Sequence, residues 1–191
     1  MQVMTLVWPA RDYLPGYVAA LERGWSPDNL RGAPAAWEHL ARIAEDADVF
    51  LASLVDRQAA GGPITLPDGT QVARLPGYQR WLWDGEFCGT IGFRWQPGTE
   101  ALPPHCLGHI GYAVVPWKQR RGYATRALRE TLLDATAEGL RYVEITARPD
   151  NLASRRVIEA NGGVFVEEFV TPPSLGGRRE VRYRVSLEPG V

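Results

Sequence analysis

The stretch from His109 to Thr125, H-I-G-Y-A-V-V-P-W-K-Q-R-R-G-Y-A-T, restricts the possible fold of this chain more than any other. It reads as a strand, a short basic loop and the start of a helix. His109 to Val115 is rich in strand formers, and Pro116 ends the strand because proline has no N–H to give a ladder. From Ala124 onward, Ala127, Leu128, Thr131 (through its methyl), Leu132 and Ala135 recur at the three- and four-residue steps of an amphipathic helix. Gly139 supplies the stop.

Between strand and helix lie Gln119, Arg120, Arg121, Gly122 and Tyr123. Gly122 permits a tight turn and a close approach, and the small Ala124 keeps the helix mouth open. The first helical amides lack partners inside the helix, and the dipole places partial positive charge there. Lys118, Arg120, Arg121 and Arg126 add to it, so a phosphate or diphosphate suits the loop. A solvated basic turn is the alternative. The spacing is neither the G-x-x-x-x-G-K-[ST] of a nucleotide triphosphatase nor the G-x-G-x-x-G of a dinucleotide fold. It resembles the Q/R-x-x-G-x-G/A signature of the GNAT acetyltransferase superfamily, with Gln119, Gly122 and Ala124 in the fixed places and Val114 and Pro116 as its V-x-P lead-in.

At 191 residues the chain suits one domain, taken as 1–191, long enough for a substantial core. Its 45% hydrophobic and 23% charged residues are those of a globular protein. The net charge of -1 gives no overall basic field for nucleic acid. No apolar run is long enough to span a bilayer, and M-Q-V-M-T-L-V-W-P has neither a basic leader nor a cleavage site. A cytoplasmic protein, monomer or homodimer, without membrane or nucleic-acid partners, is the expectation. Cys88 and Cys106 lack metal spacing and read as reduced thiols, and no metal site is expected.

Elsewhere, Val3–Trp8 reads as a strand, and Asp12 is placed to cap a helix running to Arg23. A second helix from Pro34 puts Trp37, Leu40, Ala41 and Ala44 on one face. Val49–Val55 fits either helix or strand, and its spacing favours helix. Residues 59–78 form a Gly/Pro-rich excursion with a hairpin at Asp68-Gly69, and Asp84-Gly85 joins two longer strands. Arg141–Ala147 is a strand with Val143 and Ile145 on one face and Tyr142, Glu144 and Thr146 on the other. Asn151–Ala160 is a short helix, followed by strands at Val164–Val170 and Val181–Leu187. This order is that of an α/β (α+β) protein with a mixed sheet and helices on both faces.

The resemblance implies a GNAT-like, mostly antiparallel sheet whose central parallel strand pair, around 109–115 and 141–147, splays apart. It further implies acetyl-CoA as co-substrate, with its diphosphate on the amides of Gln119, Arg120, Arg121, Gly122, Tyr123, Ala124 and Thr125. Val114 then lines the pantetheine arm and offers an oxyanion amide. Asn151 and Ser154 meet the family's N-x-x-[AS] pattern for contacting that arm; Asn151 equally suits a helix cap. Arg155 and Arg156 face either the phosphates or solvent. The implied reaction is direct attack on the thioester by a primary amine, from a small molecule or a peptide N-terminus. Glu144 and His109 are the candidate bases, each also at home as a structural residue. The tyrosine that many members use to protonate the leaving thiolate is Ile158 here, which leaves open a catalytically silent coenzyme A-binding module. Trp81, Trp83, Trp95, Tyr112 and Trp117 offer core or cleft walls, and Arg80 and Arg94 are candidates to meet an anionic acceptor.

Overall fold

The computed structural model describes residues 3–28, 31–66 and 68–187. Strand β1 (Thr5–Val7) leads into helix α1 (Leu14–Glu22), with Pro15 tolerated in its first turn and Gly24 at φ +86 beyond its end. Asp12 does not cap α1. The chain already turns at Tyr13, whose N–H donates to the Ala10 carbonyl at 3.1 Å, and the N-cap position falls on Tyr13, which makes no side-chain cap.

Helix α2 (Ala33–Glu45) exists as expected but is rotated from the expected face. Trp37 is 66% exposed, while Ala35 and Ala36 are buried and Leu40 and Ile43 pack on the core. Two apolar stripes share this helix. The stripe that wins also lets His39 bond the Tyr17 hydroxyl at 2.7 Å.

Helix α3 (Ala47–Ser53) takes most of the stretch that fits either state, because the Asp46 carboxylate accepts from the amides of Asp48 (2.9 Å) and Val49 (3.0 Å). The end of that stretch is extended: β2 (Val55–Asp56) pairs with β5. The excursion holds the expected hairpin, β3 (Ile64–Thr65) and β4 (Gln71–Val72), with Gly69 at φ +85. Strands β5 (Gly77–Trp83) and β6 (Phe87–Arg94) flank Asp84-Gly85, and β7 (Ile110–Val114) follows the Pro-rich loop.

A 3-10 turn (Pro116–Lys118) separates β7 from α4 (Tyr123–Ala137). Then come β8 (Tyr142–Ala147), α5 (Leu152–Glu159), β9 (Gly163–Val170) and β10 (Arg179–Ser186). One sheet has the order β1-β5-β6-β7 with β2 also on β5, and a second has the order β8-β10-β9. The registered pairs β1/β5, β3/β4, β8/β10 and β9/β10 are all antiparallel.

The chain sorts into two compact units with boundaries inside β5, β6, β7 and α4 and just after β2. The first (Met1–Asp56, Tyr78–Gly92, Tyr112–Ala127) is built on an aromatic core. Tyr17 stacks on Trp81 with centroids 4.7 Å apart and planes 10° from parallel, edged by Phe87 and Trp25. In it β6 and β7 come very close at Gly89 (φ +149), where a Cβ would lie 2.2 Å from the Ala113 carbonyl oxygen. The second (Arg57–Gly77, Phe93–Gly111, Leu128–Val191) buries Val143 and Ile145 of β8, Val181, Tyr183 and Val185 of β10, and Ile158 of α5. The alternation expected of β8 is observed.

Candidate functional site

Past β7 the chain makes its 3-10 turn, Lys118 N–H donating to the Val115 carbonyl at 2.9 Å, and then reverses sharply. Arg120 stands at φ +60 and Gly122 at φ +75. For arginine that conformation costs about 1 kcal/mol, so the surrounding contacts must hold it. The first helical bond of α4 runs from Arg126 N–H to the Gly122 carbonyl at 3.0 Å, and the amides just ahead of it belong to the helix mouth rather than to its ladder. A Cβ built on Gly122 meets no heavy atom within 4 Å beyond its chain neighbours, so the space beside that residue is open. The Gln119 side chain folds back, its Nε2 donating to the Val114 carbonyl at 3.2 Å.

What holds the loop is a residue that sequence reading assigned only to a turn. The Asp84 side chain, 7% exposed, accepts from Lys118 Nζ at 2.9 and 3.1 Å and from the Tyr123 hydroxyl at 2.6 Å. Arg121 Nη1 lies 3.9 Å away, and Glu86 completes the Lys118 pair at 2.8 Å. Burial pushes the Asp84 carboxyl up, but the Tyr123 hydroxyl, the Lys118 ammonium and the Cys88 thiol outweigh it and hold it at about 2. Lys118 is therefore bound to carboxylates and does not belong with the charges that face a phosphate. Arg120 and Arg121 are exposed at the loop. The signal for Asp84 was its D-G pair, which a hairpin explains without remainder.

Glu144 and His109 both hold structure. The Glu144 carboxylate accepts from Arg182 Nη1 at 2.6 Å and Arg184 Nη2 at 2.7 Å. Burial raises its pKa, and the two guanidinium groups more than reverse that, leaving it below the ordinary glutamate range. His109 is buried at the lead-in to β7. Its N–H donates to the Glu144 carbonyl at 2.7 Å, and its Nδ1 accepts from the Glu144 amide at 2.9 Å. The imidazole takes the place of a ladder carbonyl for β8. An accepting Nδ1 puts the ring proton on Nε2, and burial lowers the pKa further, so this histidine is neutral.

Asn151 is the N-cap of α5, its Oδ1 accepting from Ser154 N–H at 3.1 Å. Arg155 is anchored, Nε donating to the Tyr183 hydroxyl at 2.9 Å and Nη1 to the Pro149 carbonyl at 3.1 Å, while Arg156 is exposed. Ile158 is fully buried beneath Gly163. Among the aromatic candidates, Trp81 and Trp95 are buried, the latter stacked on Phe93 at 5.0 Å. Trp83 packs on Tyr13, and Trp117 lies under the Arg23 guanidinium at 3.6 Å. Arg80 sits over Trp8 at 5.1 Å. Burial, with hydrogen bonding to Asp84, pushes the Cys88 thiol up to about 12, which makes it inert. No helix among the described residues is long and apolar enough to cross a membrane.

Solved structures share this fold. The microcin C7 self-immunity acetyltransferase MccE, solved with acetyl-CoA and AMP, superposes with a TM-score of 0.63 at 14% identity, over 96% of this chain and 92% of that one. A Salmonella typhimurium acetyltransferase that modifies the N-terminal serine of ribosomal protein L7/L12 gives a TM-score of 0.63 at 15% identity, over 98% and 97%. A GNAT-family acetyltransferase from Bordetella pertussis gives 0.55 at 18% identity, over 96% and 95%. No curated protein sequence matches the chain. The acetyltransferase (GNAT) domain model matches residues 30–164, well over half of the sequence, and the chain belongs to the GNAT acetyltransferase family. The matched domain is that of an acetyltransferase.

Proposed function

We propose that this enzyme moves the acetyl group to a primary amine by direct attack on the thioester, while the amides of residues 119–124 hold the diphosphate of coenzyme A. The observation that carries the reading is the loop itself: a left-handed Arg120 and Gly122 before a helix mouth, with open space beside the glycine. Arg120 and Arg121 supply positive charge at that mouth.

An alkylammonium of pKa near 10.4 must lose its proton first, at a cost of roughly 4 kcal/mol at neutral pH, whereas a peptide α-ammonium near 8 costs only about 1 kcal/mol. Glu144, held between two guanidinium groups, and His109, bonded into backbone, are not built to take it, so the proton leaves through water. With Ile158 in the usual tyrosine place, the thiolate departs without a side-chain acid; a thiol titrating near 8.5 makes that feasible. Small amines and peptide N-termini are the acceptor classes, the second represented by the Salmonella enzyme's serine. Two buried free thiols suit a reducing, cytoplasmic setting.

The buried Ile158 also favours a second reading, a module that binds acetyl-CoA without turning it over. Release of free thiol from acetyl-CoA separates the two, measured against a panel of amines and peptides. Transfer predicts release above background with at least one acceptor class and at least a hundredfold loss in Gly122→Val. Binding without release from any acceptor supports the silent module.

A further inference from the structure

We infer that Asp84 is a positioning residue for the acyl donor: its carboxylate clamps both ends of the diphosphate loop and holds the helix mouth in its binding shape. Lys118 is the last residue before the loop and Tyr123 the first of α4, and both bond the same buried carboxylate, at 2.9 and 2.6 Å. Between these anchors the chain passes through Arg120 at φ +60, a conformation that arginine leaves when released. The clamp is rooted in the β5–β6 turn, where the Glu86 amide donates to Asp84 Oδ1 at 3.3 Å.

Its geometry also sorts the charges. Lys118 is turned inward onto Asp84 and Glu86, so the loop presents arginines at its mouth while the lysine stays underneath. The carboxylate is engaged by the Lys118 and Tyr123 side chains and acts through the loop they bound. This inference rests on the loop being the diphosphate site.

The test is calorimetric titration with coenzyme A of the parent, Asp84→Asn, Tyr123→Phe and the double variant Asp84→Asn/Lys118→Met, with a thermal midpoint for each. Removing one member of a buried pair destabilises a protein, whereas replacing both is close to neutral. The double variant should therefore recover most of the midpoint lost by Asp84→Asn yet keep a Kd at least tenfold above the parent. Tyr123→Phe, which leaves the ion pair in place but removes one charge-assisted hydrogen bond, should weaken binding severalfold with a smaller loss of midpoint than Asp84→Asn. If the parent binds and the double variant and Tyr123→Phe both bind within twofold of it, the clamp is purely structural and the inference is wrong. A parent that does not bind coenzyme A overturns the loop reading itself, and the inference with it.

Discussion

His109 shows how a residue with a catalytic reputation can have one ring nitrogen taken by the backbone, here Nδ1, while Nε2 is buried without a hydrogen-bond partner among the described residues. Its Nδ1 satisfies the Glu144 amide and its own N–H satisfies the Glu144 carbonyl. His109→Ala should cost about 3 kcal/mol in urea unfolding, because it leaves a cavity and an unpaired buried amide. The inflections of the kcat pH profile should stay where they are; a shifted profile would restore His109 as a base. The sequence showed a histidine at the start of a strand but not the neighbour across from it, since position 144 is distant in the chain. Glu144 was similarly opaque. Its place on the polar face of β8 was legible from alternation, whereas the arginines that hold it come from β10. Gly122 was legible down to its conformation, because tight strand-to-helix turns require a left-handed residue and glycine adopts it without strain.

At the scale of elements, periodicity carried most of the reading. The alternation of β8, the Asp84-Gly85 and Asp68-Gly69 turns and the stop at Gly139 are all where the sequence puts them. It failed where two patterns were equally good. On α2, positions 37, 40, 41 and 44 and positions 36, 40 and 43 both make apolar stripes, and only the fit against Tyr17, Phe50 and Trp25 selects between them. Trp37→Ala should therefore change stability by less than about 0.5 kcal/mol, and Ile43→Ala should cost about 2 kcal/mol, both read by chemical unfolding. The reverse ranking would mean the helix is rotated in solution. Asp46 shows the opposite case, where one cap settles an ambiguous run as helix.

For the molecule as a whole, the sequence held no linker, and the structure explains why two units leave no trace in composition: most of their boundaries lie inside regular elements. Global charge was equally silent about the site, because the relevant field is local to one loop. The pH dependence of stability belongs at this scale. Burial lowers the pKa of both His39 and His109 below 6.5, so the unfolded chain takes up protons that the folded chain refuses. Their contribution is complete above about pH 6.5 and is lost as pH falls through their folded values. Asp84, held at about 2, adds stability that is lost only on further acidification, below the ordinary carboxylate range. Thermal midpoints should be flat from pH 8 to 7, decline below pH 6.5 and fall again below pH 4. A midpoint rising between pH 7 and 5 would contradict the assignment of neutral histidines.

Central to all of this is the claim that the helix mouth after β7 holds the donor's diphosphate. A crystal structure of the protein grown with coenzyme A in excess tests it most directly. Diphosphate oxygens should lie within about 3 Å of the amide nitrogens of Gly122, Tyr123 and Ala124. Coenzyme A bound with its diphosphate elsewhere, and those amides facing only solvent, would contradict it.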